Sequence, residues 1–315
     1  MIAIILIALA AGLASALMYA SIASGALISL LLFNLTPLPL MVAALGWGPL
    51  AATIGGIAAS AGLGAIFGLS YCITFALAFA LPAWWLGHLA LLGRPVATTH
   101  GGAAAAMEWY PAGRILLWIA ILASALITAS LLTLGFDGPT ITGAIRALLV
   151  SMLEPTGVVA SDRKLDALVT IMPPMAATGA VLTMTINLWL AAKVTATSGR
   201  LHRPWPDLKA TALPPMTLAA LSVAIAFCFT GGLLAIVAQI VTTALMMAYA
   251  ITGFAVLHTV TLALKFRALW LSCAYAVVLG FVWPIVAMVA LGLADAAFGI
   301  RQRYLRGRPP PLPVS

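Results

Sequence analysis

Five polar side chains interrupt long apolar runs of this sequence, and they are the groups with which it could do chemistry: Asn34, Asn187, Gln239, His258 and Asp295. An amide side chain carries both donors and an acceptor, so Asn34, Asn187 and Gln239 could bind a polar solute or tie helices together across lipid. His258 could do either, or pass a proton with Asp295, although one histidine and one aspartate make a short relay. An unpaired carboxylate in hydrocarbon is costly, so Asp295 is expected to reach the interface or to meet a base such as Arg301. Asn34, Asn187, Gln239 and His258 are the candidate ligand-binding residues. Lys193 reads instead as an anchor whose ammonium snorkels to water.

Catalytic patterns are missing. The histidines (His88, His100, His202 and His258) never recur at metal-ligand spacing. Cys72, Cys228 and Cys273 lie singly in apolar runs, which argues against a disulfide framework. The sequence holds no Walker A loop, no Gly-x-Ser-x-Gly and no dinucleotide fingerprint. The expectation is a protein that is not an enzyme and uses neither metal nor cofactor.

The elements that must position these residues are set by lipid. From Met1 to Gly93 there is no Asp, Glu, Lys or Arg, and the first such residue is Arg94. As helix that run would extend roughly 140 Å, enough for about four crossings of a core about 30 Å thick. Only 7% of all residues are charged and 64% are hydrophobic, where a soluble domain carries roughly 25% charged. Backbone groups inside lipid must pair internally, and the continuous apolar runs lack the alternation of a barrel strand. The expected fold is all-α, a polytopic transmembrane helix bundle of about eight spans, give or take one.

The breakers divide it into Ile2–Ser21, Gly25–Leu45 (interrupted by Asn34-Leu-Thr-Pro-Leu-Pro39), Pro49–Leu69, Tyr71–Leu92, Ile115–Leu134, Leu168–Ala192, Pro214–Thr230, Leu233–Leu264 and Ala268–Gly299. The last carries Pro284 at its middle and is either one crossing or a hairpin of two short ones. Gly93–Arg114 reads as a polar linker and Thr142–Leu153 as an amphipathic surface helix. One helical domain is expected over residues 1–300, followed by a basic, proline-rich cytoplasmic tail over 301–315.

The net charge of +8 comes from bases at the ends of the apolar runs. That placement is the signature of orientation in a membrane and speaks against nucleic acid as a partner. Trp84 and Trp85 followed by Arg94 read as an interfacial belt with a basic anchor, and Arg301 and Arg303 anchor the other end. The basic segments place both termini in the cytoplasm.

Two stripes of small residues stand out: Ala8, Gly12 and Ala16, and Gly48, Ala52, Gly56, Ser60, Gly64 and Gly68, each at every fourth position. Such stripes let backbones approach closely. They serve either packing within the bundle or docking of another membrane subunit.

Pro37-Leu-Pro39, Leu45-Gly-Trp-Gly48, Glu108-Trp-Tyr-Pro-Ala-Gly-Arg114, Gly253-Phe-Ala-Val-Leu-His258 and Gly292-Leu-Ala-Asp295 with Arg301-x-Arg303, taken in that order, resemble the DUF2232 family. This is an uncharacterised group of bacterial integral membrane proteins with YybS-like members, distantly similar to the S components of energy-coupling-factor transporters. The resemblance implies a bacterial inner-membrane location, binding or uptake of a small solute, and docking on a coupling subunit through the small residues of the first helix. It transfers no ligand residues. The alternatives are a non-transporting scaffold or assembly protein and a proton or ion carrier. Expected partners are the bilayer and either another membrane subunit or further copies of the chain.

Overall fold

In a computed structural model of the chain, the described residues are 1–96, 106–156, 161–281 and 283–306. In chain order the helices begin with α1 (Ile2–Ala20), α2 (Leu27–Asn34), α3 (Leu38–Trp47), α4 (Pro49–Phe67), α5 (Leu69–Phe75) and α6 (Leu81–Leu91). A hairpin of β1 (Gly93–Val96) and β2 (Ala106–Trp109) follows, then α7 (Ala112–Leu132), α8 (Gly138–Leu153) and α9 (Asp162–Thr197). The chain closes with α10 (Met216–Phe227), α11 (Gly232–Val260), α12 (Arg267–Phe281), α13 (Ile285–Phe298) and α14 (Ile300–Arg306).

Among the described residues, seven helical stretches are long and apolar enough to cross a bilayer, or eight if the bent pair α13–α14 forms one span. The chain is the expected all-α membrane bundle. The expected span Pro214–Thr230 departs from it: only α10 is helical there, about 18 Å long against a core of about 30 Å. Pro284 stands at the N-cap of α13, so Ala268–Gly299 is two helices. The expected linker Gly93–Arg114 is in part the antiparallel β1–β2 hairpin, on which Arg94 pairs with Glu108 at 2.6 Å. His100 and the tail residues 307–315, with Pro309-Pro310-Pro311, lie outside the described residues.

By its contacts the chain divides into two compact units: Met1–Ser130 with Gly179–Pro206, and Leu131–Thr178 with Asp207–Ser315. The first unit is organised by α1 lying on α4. Ala8 and Gly12 are buried there, and a Cβ on Gly12 would overlap the Gly55 carbonyl while one on Gly55 would overlap that of Ala8. The face of α1 expected to dock a partner is thus filled by the chain's own α4; Ala16 beside it is half-buried. On α4, Ala52, Gly56 and Ser60 are buried, Gly56 faces Ala80 and Gly64 faces Cys72. Gly48 and Gly68 are turns and not packing contacts: each has a left-handed φ (94° and 98°) and together they bound α4. Of this stripe, only the middle packs.

One end of the first unit gathers the start of α1, the ends of α3 and α6, β2 and the loop after α9. There Ile4, Trp47, Leu91, Trp109, Arg200 and His202 line a common cavity. Beside it Trp85 packs edge-on against Trp118 and Trp84 stacks on His88. The aromatic belt is therefore a packed cluster, and the exposed Arg94 flanks it.

The second unit is organised by α11 and α13. A Cβ on Gly253 would overlap the carbonyl of Met288, and one on Gly292 that of Tyr249. The surface helix α8 buries Ile141 and Ile145 against Val169, Leu233 and Ile236. Arg146 on that helix pairs with Asp162, at 2.5 Å, and with Asp166. Arg267 at the start of α12 donates to the His258 carbonyl at 3.3 Å, and Tyr304 of α14 to that of Val260 at 2.9 Å. Thus the chain comes back in α14 to the end of α11 that it left.

Candidate functional site

Pro37 and Pro39 lack the N–H that helix continuation requires, and the span breaks at Asn34. The amide of Leu38 turns back to Leu35 at 3.0 Å, which leaves the carbonyl of Asn34 without its usual donor four residues on. That carbonyl receives Nδ2 of Asn187 from α9 at 2.8 Å. The same Nδ2 donates to the Thr183 carbonyl at 2.8 Å, and the Thr183 hydroxyl donates to Oδ1 of Asn34 at 3.1 Å. Asn34 in turn donates to Leu30 at 2.8 Å.

Two of the sequence candidates, Asn34 and Asn187, therefore meet, and Thr183 completes the cluster. Both acceptors of Asn187 are carbonyl oxygens, which fixes its amide orientation. Its Oδ1 is left buried with no partner, on a residue only 1% exposed. A buried acceptor without a donor is uncommon and costs about 1–3 kcal/mol.

Gln239 and His258 lie elsewhere, in α11. Gln239 is half-buried, and its backbone carbonyl accepts from Thr243 at 2.7 Å. The Nε2 of His258 meets the Tyr275 hydroxyl at 2.8 Å, and its Nδ1 lies 3.5 Å from Arg267. Tyr275 also stacks on Phe254, 5.2 Å between centroids. Asp295 meets Arg301, the second of its two expected fates: Oδ2 takes Nε at 2.8 Å and Nη2 at 2.7 Å. His258 and Asp295 are thus engaged with different partners, and no bond links them among the described residues. Arg301 is buried, so the expected tail begins as an anchored helix; Arg303 next to it is exposed.

Thr183, Tyr275, Arg267 and the cavity residues Trp47, Trp109, Arg200 and His202 were not singled out from sequence as site residues. Threonine in an apolar helix usually bonds its own preceding turn, so Thr183 gave no distinctive signal. The segment 193–209 is legible in the sequence only as a basic loop, with Lys193, Arg200, Arg203 and Lys209 against Asp207. Among the described residues no group of three or more His, Cys, Asp or Glu side chains is placed to hold a metal ion. No protein-family model, no curated protein and no solved structure matches this chain.

Proposed function

We propose that this is a multi-pass protein of a bacterial inner membrane, both termini cytoplasmic, that binds a small polar solute at the broken helix between α2 and α3. The observation that carries the reading is Oδ1 of Asn187, a buried acceptor with no partner on a helix long and apolar enough to cross a membrane. Broken spans in transporters place solute sites where backbone groups are freed, and here the break and the free acceptor adjoin. The resemblance to DUF2232 proteins and to S components supports the same class of function. The orientation rests on the bases Arg94, Arg114 and Arg200, carried by the segments that follow α6 and α9. A coupling subunit would dock away from Ala8 and Gly12, which α4 covers.

Native mass spectrometry of protein released under mild detergent tests the solute site. The wild type should carry a small-molecule adduct that Asn187→Leu loses and Gln239→Leu keeps, with both variants still monodisperse. An adduct indifferent to Asn187, or none after incubation with cell extract, overturns the reading.

A second reading, a scaffold that gathers other membrane proteins, draws on α12. This apolar helix has no buried residue, and Leu279 is 80% exposed. Cross-linking from Leu279 to another protein, with no solute bound, would favour it.

A further inference from the structure

The cavity at the end of the first unit has a volume of about 450 Å³. Its walls are of two kinds. Ile4, Leu91, Trp47 and Trp109 are apolar or aromatic, and Arg200 and His202 bring hydrogen-bond donors. The guanidinium of Arg200 lies 5.3 Å from the centroid of the Trp47 ring. Arginine stacked on an aromatic face keeps its in-plane N–H edge free for an oxyanion.

The position of Arg200 is fixed by the end of α9. Its amide donates to Thr195 at 2.8 Å and that of Gly199 to Ala196 at 3.1 Å. With Gly199 at φ 66°, this is a Schellman closure, which leaves little slack in the loop. Gly46 of α3 lies against this loop: a Cβ there would be in ordinary contact with Thr195 and the Cβ of Arg200.

Neighbouring bases are already engaged. Arg94 is paired with Glu108, Arg203 donates to the Ala90 carbonyl at 3.2 Å, and Lys193 lies over the Trp205 ring at 4.4 Å. Arg200 has no carboxylate partner and caps no carbonyl with its side chain among the described residues. An exposed guanidinium on a fixed loop, free of an anion and lying over the Trp47 indole beside the ends of apolar helices, fits a ligand that is anionic at one end and apolar at the other.

We propose that this cavity holds the phosphate headgroup of an anionic phospholipid, with Arg200 and His202 on the phosphate and Trp47, Trp109, Ile4 and Leu91 against the glycerol and upper acyl chain. Basic pockets where spans meet the cytoplasmic leaflet recognise such headgroups through the same pairing of charge and apolar wall. The site is separate from the Asn187 cluster, so each proposal stands or fails alone.

The test uses the full chain purified in detergent, with lipid retention read by native mass spectrometry and by thermal shift. Phosphatidylglycerol should be retained at one per chain, and phosphatidylcholine and diacylglycerol should not. Arg200→Gln should weaken retention about tenfold, the worth of one charge-assisted hydrogen bond. Arg200→Lys should recover part of the loss, His202→Ala should weaken it less, and Arg203→Gln, scored at equal thermal stability, should leave it unchanged. Displacement of the lipid by millimolar inorganic phosphate would mark a soluble-anion site and overturn the lipid assignment. Equal retention by wild type and Arg200→Gln would reduce Arg200 to a bilayer anchor and overturn the site.

Discussion

The two units each close a helix break with polar groups, and they do so with opposite chemistry. In the first unit the freed carbonyl of Asn34 is taken by the neutral amide of Asn187 at 2.8 Å, and one acceptor of that amide stays empty. In the second unit the chain bends by 67° between α13 and α14, and the break is closed by an ion pair. There Asp295 accepts the Arg301 amide at 2.8 Å as well as its side chain, and Nη1 of Arg301 donates to the carbonyls of Lys209 at 2.6 Å and Thr211 at 2.8 Å. Both charged groups of that cluster are fully partnered, although the Thr211 hydroxyl beside them is buried without a partner. A charge pair whose ionic groups are all partnered offers a ligand no charge to bind, whereas Asn187 keeps an unpartnered amide acceptor.

If the second break is architecture, removing one charge should do the most damage. Arg301→Met strands a carboxylate that is 9% exposed, and the expected loss is about 3–5 kcal/mol in reversible unfolding in detergent. Replacing both partners, Asp295→Leu with Arg301→Met, should restore most of it, since apolar residues remove the desolvation penalty along with the attraction. A single-variant loss below about 1 kcal/mol would mean that water reaches the pair as it does an exposed one, and the contrast with the first unit would collapse.

Next come the glycine contacts that hold each unit's central helix pair. Gly12→Ala and Gly253→Ala each drive a methyl into a facing backbone carbonyl and should cost about 1–3 kcal/mol. Gly143→Ala in α8 meets nothing within 4 Å and should be neutral or gain up to about 1 kcal/mol from helix propensity. Parallel thermal melts of the three decide it. Equal costs at Gly12 and Gly143 would show that α1 is not seated on α4.

These glycines also show how far the sequence could be read. The membrane class and most spans follow from the absence of charge before Arg94 and from the breakers, because lipid imposes one solution on backbone groups. The partner of Gly12 is Gly55, one residue off the every-fourth stripe through Gly56, and periodicity within one helix says nothing of which neighbour it meets. The lengths of α10 and α12 were illegible for a related reason. Apolar composition extends past the ends of both helices, so it does not mark where the helical backbone stops. At the site, Asn34 and Asn187 were legible as polar residues in apolar runs. Their meeting was not, because it depends on a carbonyl freed by Pro37 and Pro39, 150 or so residues before Asn187.

Asn187 sets the next scale down. Asn187→Leu removes the donor from the Asn34 carbonyl and also removes the empty Oδ1, so its net cost should be about 1 kcal/mol, near the membrane average for interhelical hydrogen bonds. Thr183→Val, which loses only the 3.1 Å bond to Asn34, should cost less. Loss above about 3 kcal/mol at Asn187 would place it with Arg301 as pure architecture.

The smallest effect isolates burial from chemistry. Asp137 at the N-cap of α8 does in water what Asp295 does in the protein: its Oδ1 accepts the Thr140 amide at 2.9 Å and its Oδ2 the Thr140 hydroxyl at 2.8 Å. The backbone bond first, and then the hydroxyl bond, hold its carboxyl below the usual 3.8. Because the folded value is the lower one, the cap's contribution is complete above about pH 4 and is lost only as the pH falls through the folded value. Amide exchange in the first turn of α8 should therefore be insensitive to pH, after correction for intrinsic rates, from 7 to about 4, and should rise below that. Asp137→Asn, still a good cap, should abolish the acid response, and Asp137→Ala should fray the turn at every pH. An acid response in Asp137→Asn equal to that of the wild type would assign it to Glu154, Asp162 or Asp166, and exposed and buried carboxylates could then no longer be compared through this pair.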